Sequence, residues 1–216
     1  MQQIIPLYRD RAAAGSVLAE ELMKYAGQNV AVFGVGAGGV AVAAPIADAL
    51  GADLDVLAAR RLTMPGQPDQ AWGAVAVLGE CVQIVAEQDT DTHRPAPADL
   101  VDTVRQRDLT ELRHLEDSYR AGRPPERVNG RLVIVVGDGL TSLAVMRAAA
   151  SAVRRQHPAQ LVIALPTGTN RTCRELGRTA DEVICPMAPG LLNPIGSVYS
   201  EHAGSSVDDV ARLLSA

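Results

Sequence analysis

The residues best suited to chemistry follow an apolar run in the second half of the chain. RLVIVV, residues 131–136, leads into GDGLTSL, which supplies the acid Asp138 and the hydroxyls of Thr141 and Ser142. A carboxylate at the end of a buried strand can accept hydrogen bonds from ribose hydroxyls, while amides and hydroxyls at a helix start can bind a 5′-phosphate. The stretch therefore predicts a site for a phosphorylated ribose, although Asp138 could also be only a turn residue.

A second glycine-rich stretch lies nearer the N-terminus, between the predicted strand NVAVFGV and an alanine-rich helix. Gly34, Gly36 and Gly39 form a literal G-x-G-x-x-G, the dinucleotide-binding fingerprint. Other phosphate sites between a strand and a helix have the same spacing, so the motif alone is not specific. Gly38 and Gly39 could also serve only to let the helix pack closely on the strand.

The dinucleotide interpretation requires an acid at the carboxyl end of the second strand, where it would bind the ribose hydroxyls. Asp53 and Asp55 lie at the start of that predicted strand, LDVLAARRL, and its end carries Arg60 and Arg61. Arginines at that point could bind the extra phosphate of NADP. An NADP-binding Rossmann protein therefore remains an alternative hypothesis, with a surface ion-pair role for both arginines as the simpler one.

Cysteine and histidine residues indicate neither a disulfide framework nor a metal site. The three cysteines, Cys81, Cys173 and Cys185, are an odd number without C-x-x-C spacing, which is typical of buried apolar residues. The four histidines are scattered, without the spacing of a zinc-binding helix. We expect no metal ligands among the site residues.

Strands and helices alternate along the chain, which is typical of an α/β fold with a largely parallel sheet. The apolar spacing predicts an opening amphipathic helix over residues 9–26 and a long solvent-facing helix over 98–120. A loop and a short hairpin are expected between residues 62 and 97. Further expected elements are a strand at LVIALP, a helix at RTCRELGRTA, a strand at EVICPMAP and a final helix capped by Ser205 or Ser206.

Composition bounds the class of protein. The 216 residues suffice for one α/β domain with a substantial core, and 47% of them are hydrophobic. The net charge of −5, without a long basic run, argues against nucleic-acid binding. No segment is long and apolar enough to span a bilayer, and the N-terminus lacks the apolar region of a signal peptide. We expect a cytoplasmic protein without membrane contact.

Several stretches in chain order resemble the type I phosphoribosyltransferases, in particular a small bacterial subgroup. VGDGLTSLAVMRAA is similar to the strand, acid pair and phosphate clamp of that family, and GAGGVAVAAPIADALGADLDVL to its pyrophosphate loop and following helix. YRDRAAAGSVLAEEL resembles the subgroup's opening helix, RRLTMPGQPDQAWGAVA its mobile segment, and ADEVICPMAP its late strand. The resemblance covers nearly the whole chain.

The resemblance implies a single domain over residues 1–216: a three-layer, mostly parallel sheet of the type I phosphoribosyltransferase kind. A small hood or hairpin appendage, the mobile segment 62–97, would carry Asp69 at the family's acidic position. It also implies transfer of ribose 5-phosphate from phosphoribosyl pyrophosphate (PRPP) to an unknown nitrogen acceptor, with Mg²⁺ carried on the pyrophosphate, and a possible homodimer.

Roles for individual residues follow from the same resemblance. Asp138, Arg60 and Arg61 would act at the reacting groups, Asp138 by orienting the ribose and the arginines by supplying charge. The ligand phosphates would be bound by two sets of backbone and hydroxyl groups. These are Gly38 and Gly39 on the pyrophosphate side, and Gly139, Leu140, Thr141, Ser142, Leu143 and Ala144 around the 5′-phosphate.

Four positions depart from the family pattern. Gly137 stands where the first acid would be, Leu143 replaces a clamp glycine, Val145 replaces the closing threonine, and Ala37 replaces a loop arginine. The changes at Gly137, Val145 and Ala37 each remove a ligand contact, and Leu143 requires a reshaped loop if the glycine position needs positive φ. A non-catalytic protein of the same fold that binds a nucleotide or ribose phosphate is therefore the main alternative hypothesis.

Overall fold

The computed structural model describes residues 6–64, 67–86, 98–187, 198–201 and 204–215, with side chains except at 64, 67–70 and 98–105. Six α-helices and seven strands lie in these ranges, and a short 3-10 turn, Met23–Tyr25, extends the first helix. The strands are β1 (Val30–Val35), β2 (Asp53–Met64), β3 (Gln67–Leu78), β4 (Cys81–Ala86), β5 (Leu132–Val136), β6 (Gln160–Ala164) and β7 (Glu182–Ile184). The helices are α1 (Arg11–Leu22), α2 (Gly36–Leu50), α3 (Ala98–Arg120), α4 (Leu143–Arg154), α5 (Asn170–Leu176) and α6 (Val207–Leu214).

The strands form one sheet in the order β4-β3-β2-β1-β5-β6-β7. Five neighbouring strands are parallel, namely β2, β1, β5, β6 and β7. β3 pairs antiparallel with both β2 and β4. The fold is thus α/β with a mostly parallel sheet, as predicted. β5, the sequence LVIVV, is buried along its whole length because helices cover both faces of the sheet.

Alternate residues of the central strands pack against different helices. Val30 and Val32 of β1 belong to the core shared with α1 and α2, whereas Ala31 and Phe33 belong to the core shared with α4. α2 and α4 therefore lie on opposite faces of the sheet. α3 and α6 pack beside α2 through Tyr119 and Val210, which completes the three layers.

β2 connects the parallel sheet to the antiparallel hairpin. Its residues 53–57 pair with β1, and its residues from Ala58 to Met64 pair with β3, with register shifts after Leu62 and Thr63. The segment 62–97 was expected to be a loop followed by a hairpin. Residues 62–64 and 67–73 lie instead in strands β2 and β3, the expected hairpin is the β3–β4 pair, and residues 87–97 lie outside the described ranges.

The start of α2 corrects another expectation. The sequence predicted a glycine loop over residues 36–39 with the helix beginning after it, but these residues form the first turn of α2. A β-carbon at Gly39 would lie 2.6 Å from the carbonyl oxygen of Val136, so glycine lets this turn approach β5 closely. Tertiary packing therefore overrides the low helix propensity of glycine.

A buried ion-pair network joins β2, the β3–β4 turn and α3. Arg120 Nε donates to Asp55 Oδ1 at 2.9 Å, its Nη1 donates to Glu116, and the Gly79 amide donates to Glu116 Oε1 at 2.9 Å. The three charged residues are 1–5% exposed. Burial acts to lower the pKa of Arg120, but the carboxylates of Asp55 and Glu116 outweigh it and hold that pKa above its ordinary value.

The final helix begins as predicted. Ser206 is its N-cap, and its hydroxyl accepts from the Asp209 amide at 3.1 Å while the Asp209 carboxylate accepts from the Ser206 amide at 3.0 Å. This reciprocal arrangement is a capping box. In the described part of the chain, no helix combines the length and apolar character needed to cross a membrane.

Candidate functional site

The sheet topology identifies one crevice as the place for a ligand. β1 and β5 are adjacent and parallel, and the helices that follow them, α2 and α4, lie on opposite faces of the sheet. Where successive connections diverge in this way, the carboxyl ends of the two strands leave an open crevice, which is the usual ligand site of such folds. Both glycine-rich stretches of the sequence meet at this edge.

Asp138 organises the connection from β5 to α4, residues 137–142, which we call the Asp138 loop. Its Oδ1 accepts hydrogen bonds from the amides of Leu140 and Thr141 at 3.0 and 3.1 Å, and from the Thr141 hydroxyl at 2.9 Å. Gly139 has φ +78°, which favours glycine. The carboxylate therefore stabilises the turn, so the turn-residue interpretation of Asp138 is correct for this oxygen.

The second oxygen of Asp138 is paired with Arg11, the first residue of α1. Arg11 Nη2 and Nε lie 3.0 and 3.2 Å from Asp138 Oδ2, and the two side chains are 18% and 9% exposed. The Arg11 guanidinium also lies 5.1 Å from the centre of the Tyr199 ring. This cation–π contact and the ion pair place a positive charge inside the crevice.

Tyr199 connects the Asp138 loop to the C-terminal part of the chain. Its hydroxyl donates to the backbone oxygen of Asp138 at 2.6 Å. Burial, and then the negative charge of Asp138, raise the pKa of the Tyr199 phenol above its ordinary value, so the phenol keeps the proton it donates. Tyr8 pairs with Tyr199 through a parallel bridge and donates its hydroxyl to the oxygen of Pro166 at 2.8 Å.

Arg11 and Tyr199 were missed by the sequence reasoning. Arg11 lies within the stretch YRDRAAAGSVLAEEL, whose pattern predicted only the opening helix. Tyr199 carries no local signal. Its partner Asp138 is 61 residues away in the chain, so only the fold brings the two together.

The first turn of α2 borders the same pair. A β-carbon at Gly38 would lie 2.4 Å from Asp138 Oδ2 and 3.1 Å from Arg11 Nε. Glycine is thus required there by the ion pair. Gly36 has φ +60° and open space beside it, and residues 36–38 are partly exposed. The turn therefore presents backbone to the crevice, with no charged side chain in its sequence GAGG.

The other side of the crevice is the start of α4. Ser142 is the N-cap, and its hydroxyl accepts from the Val145 amide at 3.4 Å. Leu143 and Ala144 follow as the first helical residues, whose amides have no acceptor within the helix. Leu143 needs no positive φ here, since the described non-glycine residues with positive φ are Ala121 and His157. Leucine is therefore compatible with the loop.

The packing around Gly137 explains why no second acid stands at this position. It is buried, and a β-carbon there would lie 2.7 Å from Leu165 Cδ2 and 2.8 Å from Met146 Sδ. The side-chain ends of Met146 on α4 and of Leu165 just after β6 fill this space and would have to shift to admit a carboxylate. The departure from the family pattern at this position is thus built into the packing.

Arg60 and Arg61 lie on the part of β2 that pairs with β3, beyond the residues that pair with β1. Arg60 Nη1 donates to Glu111 on α3 at 2.8 Å, and its side chain is 43% exposed. Arg61 is exposed. Arg60 therefore forms the surface ion pair that was its simpler interpretation, and the structure does not place it with Asp138. The side chain of Asp69 lies outside the described residues.

The two acids considered for a dinucleotide site, Asp53 and Asp55, form ion pairs away from the crevice. Asp55 is inside the buried network with Arg120, and its Oδ2 also accepts from the Glu126 amide at 2.8 Å. Asp53 begins β2 at the opposite edge of the sheet and pairs with Arg131 at 2.6 Å. Neither Asp53 nor Asp55 is therefore placed to supply the acid that a dinucleotide site needs at the carboxyl edge of the sheet.

The described residues contain no group of three or more His, Cys, Asp or Glu side chains that could hold a metal ion.

Comparison with known sequences identifies relatives in Mycobacterium tuberculosis. Proteins of the strains CDC 1551 and H37Rv, both named "Putative phosphoribosyl transferase", are 35% identical over 209 residues, which are 96% of this chain and 46% of theirs. The chain thus spans about half the length of these curated relatives. No protein-family model matches the sequence.

Comparison with solved structures gives a relative of matching length. The crystal structure of TT1426 from Thermus thermophilus is 33% identical, with a TM-score of 0.77, and the match covers 96% of this chain and 97% of that one. A protein of Aquifex aeolicus has a TM-score of 0.52 at 9% identity, over 86% of this chain and 78% of its own, which shows a shared fold alone.

Proposed function

The chain belongs to the phosphoribosyltransferase family, and on this premise we propose that it transfers ribose 5-phosphate from PRPP to a nitrogen acceptor with release of pyrophosphate. The observation that carries the proposal is the meeting of two helix starts, those of α2 and α4, on either side of Asp138 at the β1/β5 crevice. The amino end of a helix attracts phosphate through its amides and dipole. Two such ends fit the two phosphate-bearing positions of PRPP.

The α4 side would bind the 5′-phosphate. The hydroxyls of Thr141 and Ser142 and the amides of Leu143 and Ala144 lie at the start of this helix, with Gly139 and Leu140 in the turn before it. Asp138 would then orient the ribose by accepting from its hydroxyls. Because Oδ1 already accepts the hydrogen bonds of the turn, Oδ2 is the oxygen that would accept from the ribose hydroxyls.

The α2 side would bind the pyrophosphate through the amides around Gly38 and Gly39. Mg²⁺ carried by PRPP would neutralise part of the pyrophosphate charge. Arg60 and Arg61 remain proposed charge contacts, and Arg60 would have to leave Glu111 to reach the ligand. No specific acceptor is assigned by the described residues.

The chemistry asks the protein mainly for position and charge. A nitrogen lone pair attacks C1 of the ribose, the bond from C1 to the pyrophosphate oxygen breaks, and positive charge develops on the ribose in between. Holding the sugar and both phosphate groups in reacting geometry is worth several kcal/mol, up to about 7–11, in favourable cases. The Asp138 carboxylate would stabilise the developing charge.

A second candidate function is supported by the state of the Asp138 carboxylate. Both of its oxygens accept hydrogen bonds within the protein, and Gly137, packed against Leu165 and Met146, supplies no second acid. A protein with these contacts could bind ribose 5-phosphate or a nucleotide without catalysing transfer. This candidate shares the site of the first and differs only in turnover.

Melting experiments with PRPP and Mg²⁺ test the site before the acceptor is known. Ligand at about 100 times Kd would stabilise the protein by about 2.7 kcal/mol, which raises Tm. Asp138→Asn should reduce this shift. Asp181→Asn is a matched control, because Asp181 also accepts from an arginine, Arg154, and from a backbone amide, that of Leu161, away from the crevice.

Pyrophosphate release with a panel of nucleobases and amines separates the two candidates. A Tm shift with release supports transfer, and a Tm shift without release for any acceptor supports the binding protein. Absence of a Tm shift with PRPP, ribose 5-phosphate and nucleotides would contradict both.

A further inference from the structure

We infer that Arg11 is a ligand-exchange residue: it holds Asp138 in the free protein, and on binding of PRPP it passes to the pyrophosphate and leaves Asp138 to the ribose hydroxyls. The inference rests on the proposed function and adds a residue and a movement to it. Arg11 lies on α1, outside both glycine-rich stretches, and no local sequence pattern predicts a role for it.

Hydrogen-bond capacity at Asp138 favours the exchange. An ionised carboxylate offers about four lone-pair sites. Three donors already bond Oδ1 and two nitrogens of Arg11 bond Oδ2, so five contacts share these sites and ribose hydroxyls must compete with them. A ribose therefore binds Asp138 better if one of these donors leaves.

Among these donors, Arg11 is the one able to leave. The amides of Leu140 and Thr141 are fixed by the turn, and the Thr141 hydroxyl is on the same loop as Asp138. Arg11 reaches Asp138 from 127 residues away in the chain, on a long side chain that is 18% exposed. Its departure needs a side-chain rotation and breaks none of the hydrogen bonds that the loop amides make to Oδ1.

The position of the guanidinium indicates where it goes. Arg11 Nε would lie 3.1 Å from a β-carbon at Gly38, so the group already lies beside the first turn of α2. That turn, GAGG, has backbone amides facing the crevice and no charge of its own. A pyrophosphate bound there needs a cation, and a guanidinium binds phosphate oxygens through paired N–H groups.

Charge balance keeps the free-energy cost of the exchange small. Moving Arg11 from a carboxylate to a phosphate replaces one charge-assisted contact by another. Asp138 in turn gains ribose hydroxyls in place of the arginine, so its charge is not left unpaired in a site that is 9% exposed. The Tyr199 ring, 5.1 Å from the guanidinium, offers a surface along which the group can move.

Calorimetric titration of Arg11→Gln with two ligands tests the exchange. PRPP with Mg²⁺ carries both the ribose phosphate and the pyrophosphate, whereas ribose 5-phosphate lacks the pyrophosphate. Loss of a charged hydrogen-bond partner should weaken PRPP binding about 10-fold or more. Ribose 5-phosphate should bind equally or more tightly, because Arg11 no longer competes for Asp138.

Arg9→Gln is the matched control, since Arg9 is two residues away, 70% exposed and paired with Asp10, and it should leave both affinities unchanged. If Arg11→Gln does not fold, Arg11→Lys takes its place, because lysine keeps the charge without the paired N–H groups. The same difference between PRPP and ribose 5-phosphate binding is then expected, but smaller. Equal weakening of both ligands in either Arg11 variant would show that Arg11 only stabilises the loop and would overturn the inference. Wild-type protein that binds neither ligand would overturn the proposed function as well.

Discussion

Two arginine–aspartate pairs in this protein have the same chemistry and different surroundings. Arg120 and Asp55 lie between β2 and α3 and are 5% and 1% exposed, with Glu116 and the backbone amides of Val56 and Glu126 as further partners. Arg11 and Asp138 lie at the carboxyl edge of the sheet with side chains 18% and 9% exposed. One side of that second pair faces the first turn of α2, which has no side chains beyond a single methyl group.

The role of an ion pair therefore depends on whether a ligand can replace one of its partners. Every partner of Asp55 is protein, enclosed on all sides, so removal of any one leaves a buried charge. Asp138 shares its carboxylate between a loop it holds and an arginine that lies at an open crevice. The enclosed pair fixes the hairpin to α3, whereas the open pair can give its contacts to a ligand.

Removal of the buried arginine should have the largest effect on stability. Arg120→Met leaves Asp55 and Glu116 buried without their cation, which should lower the free energy of unfolding by about 3–5 kcal/mol. Urea denaturation measures the change. Arg60→Met is the matched control, because Arg60 pairs with another α3 acid, Glu111, at an exposed site, where the effect should stay below about 1 kcal/mol. Equal losses in both variants would contradict the distinction between enclosed and exposed pairs.

An aspartate at position 137, where the family has its first acid, should destabilise the protein and should not strengthen ligand binding. Gly137→Asp places a β-carbon 2.7 Å from Leu165 Cδ2 and a charge in the core. Overpacking alone costs about 1–3 kcal/mol, and the unpaired buried carboxylate adds to it. Urea denaturation with titration of ribose 5-phosphate checks both effects. Wild-type stability with tighter binding would show that the crevice has room for the second acid.

A methyl group at Gly38 should disturb the open pair directly. In Gly38→Ala the added carbon would lie 2.4 Å from Asp138 Oδ2, so the carboxylate or α2 must move, at a cost of about 1–3 kcal/mol. The Tm response to PRPP should fall at the same time. Gly204→Ala, at a glycine with open space and no positive φ, should change neither. A Gly38→Ala variant whose Tm rises with PRPP as much as that of the wild type would show that ligand binding does not depend on the Arg11–Asp138 pair.

An exposed pair completes the series with the smallest effect. Lys24, and then the Tyr25 hydroxyl, hydrogen-bond Glu182 and lower the pKa of its carboxyl. A lowered folded-state pKa contributes stability above the unfolded pKa, which is lost as pH falls through the folded pKa. Because Glu182 is 36% exposed and screened by solvent, the contribution should be about 0.5 kcal/mol.

Unfolding of wild-type protein and Glu182→Gln, measured at pH 7 and pH 3, checks this contribution. The wild-type advantage should be present at pH 7 and smaller at pH 3. A difference that does not depend on pH would assign the effect to packing instead of charge.

The elements were largely predictable because their signals are local. The β-branched run LVIVV predicted β5, and the apolar spacing of residues 98–120 predicted α3 with the bounds that the structure shows. The glycines before Val40 favoured a loop, since propensity cannot show that Gly39 packs against the oxygen of Val136. The helical first turn of α2 was therefore missed.

The candidate site was predictable only in part for the same reason. Asp138, Thr141 and Ser142 were found because strand, acid and helix start follow one another in sequence. Arg11 and Tyr199 join them through contacts across the fold, which no local pattern encodes. Arg60 was assigned to the site from its place at a strand end, but its pairing with Glu111 depends on where α3 packs.

Hydrogen exchange with ribose 5-phosphate tests the central claim, that the Asp138 loop and the start of α4 form a site for a phosphorylated ribose. Backbone amides bound by a ligand exchange more slowly, and the method locates them without a mutation. We expect slowed exchange over residues 138–145, with residues 36–39 added when PRPP and Mg²⁺ replace ribose 5-phosphate. Slowed exchange confined to other parts of the chain, or none at saturating ligand, would contradict the account.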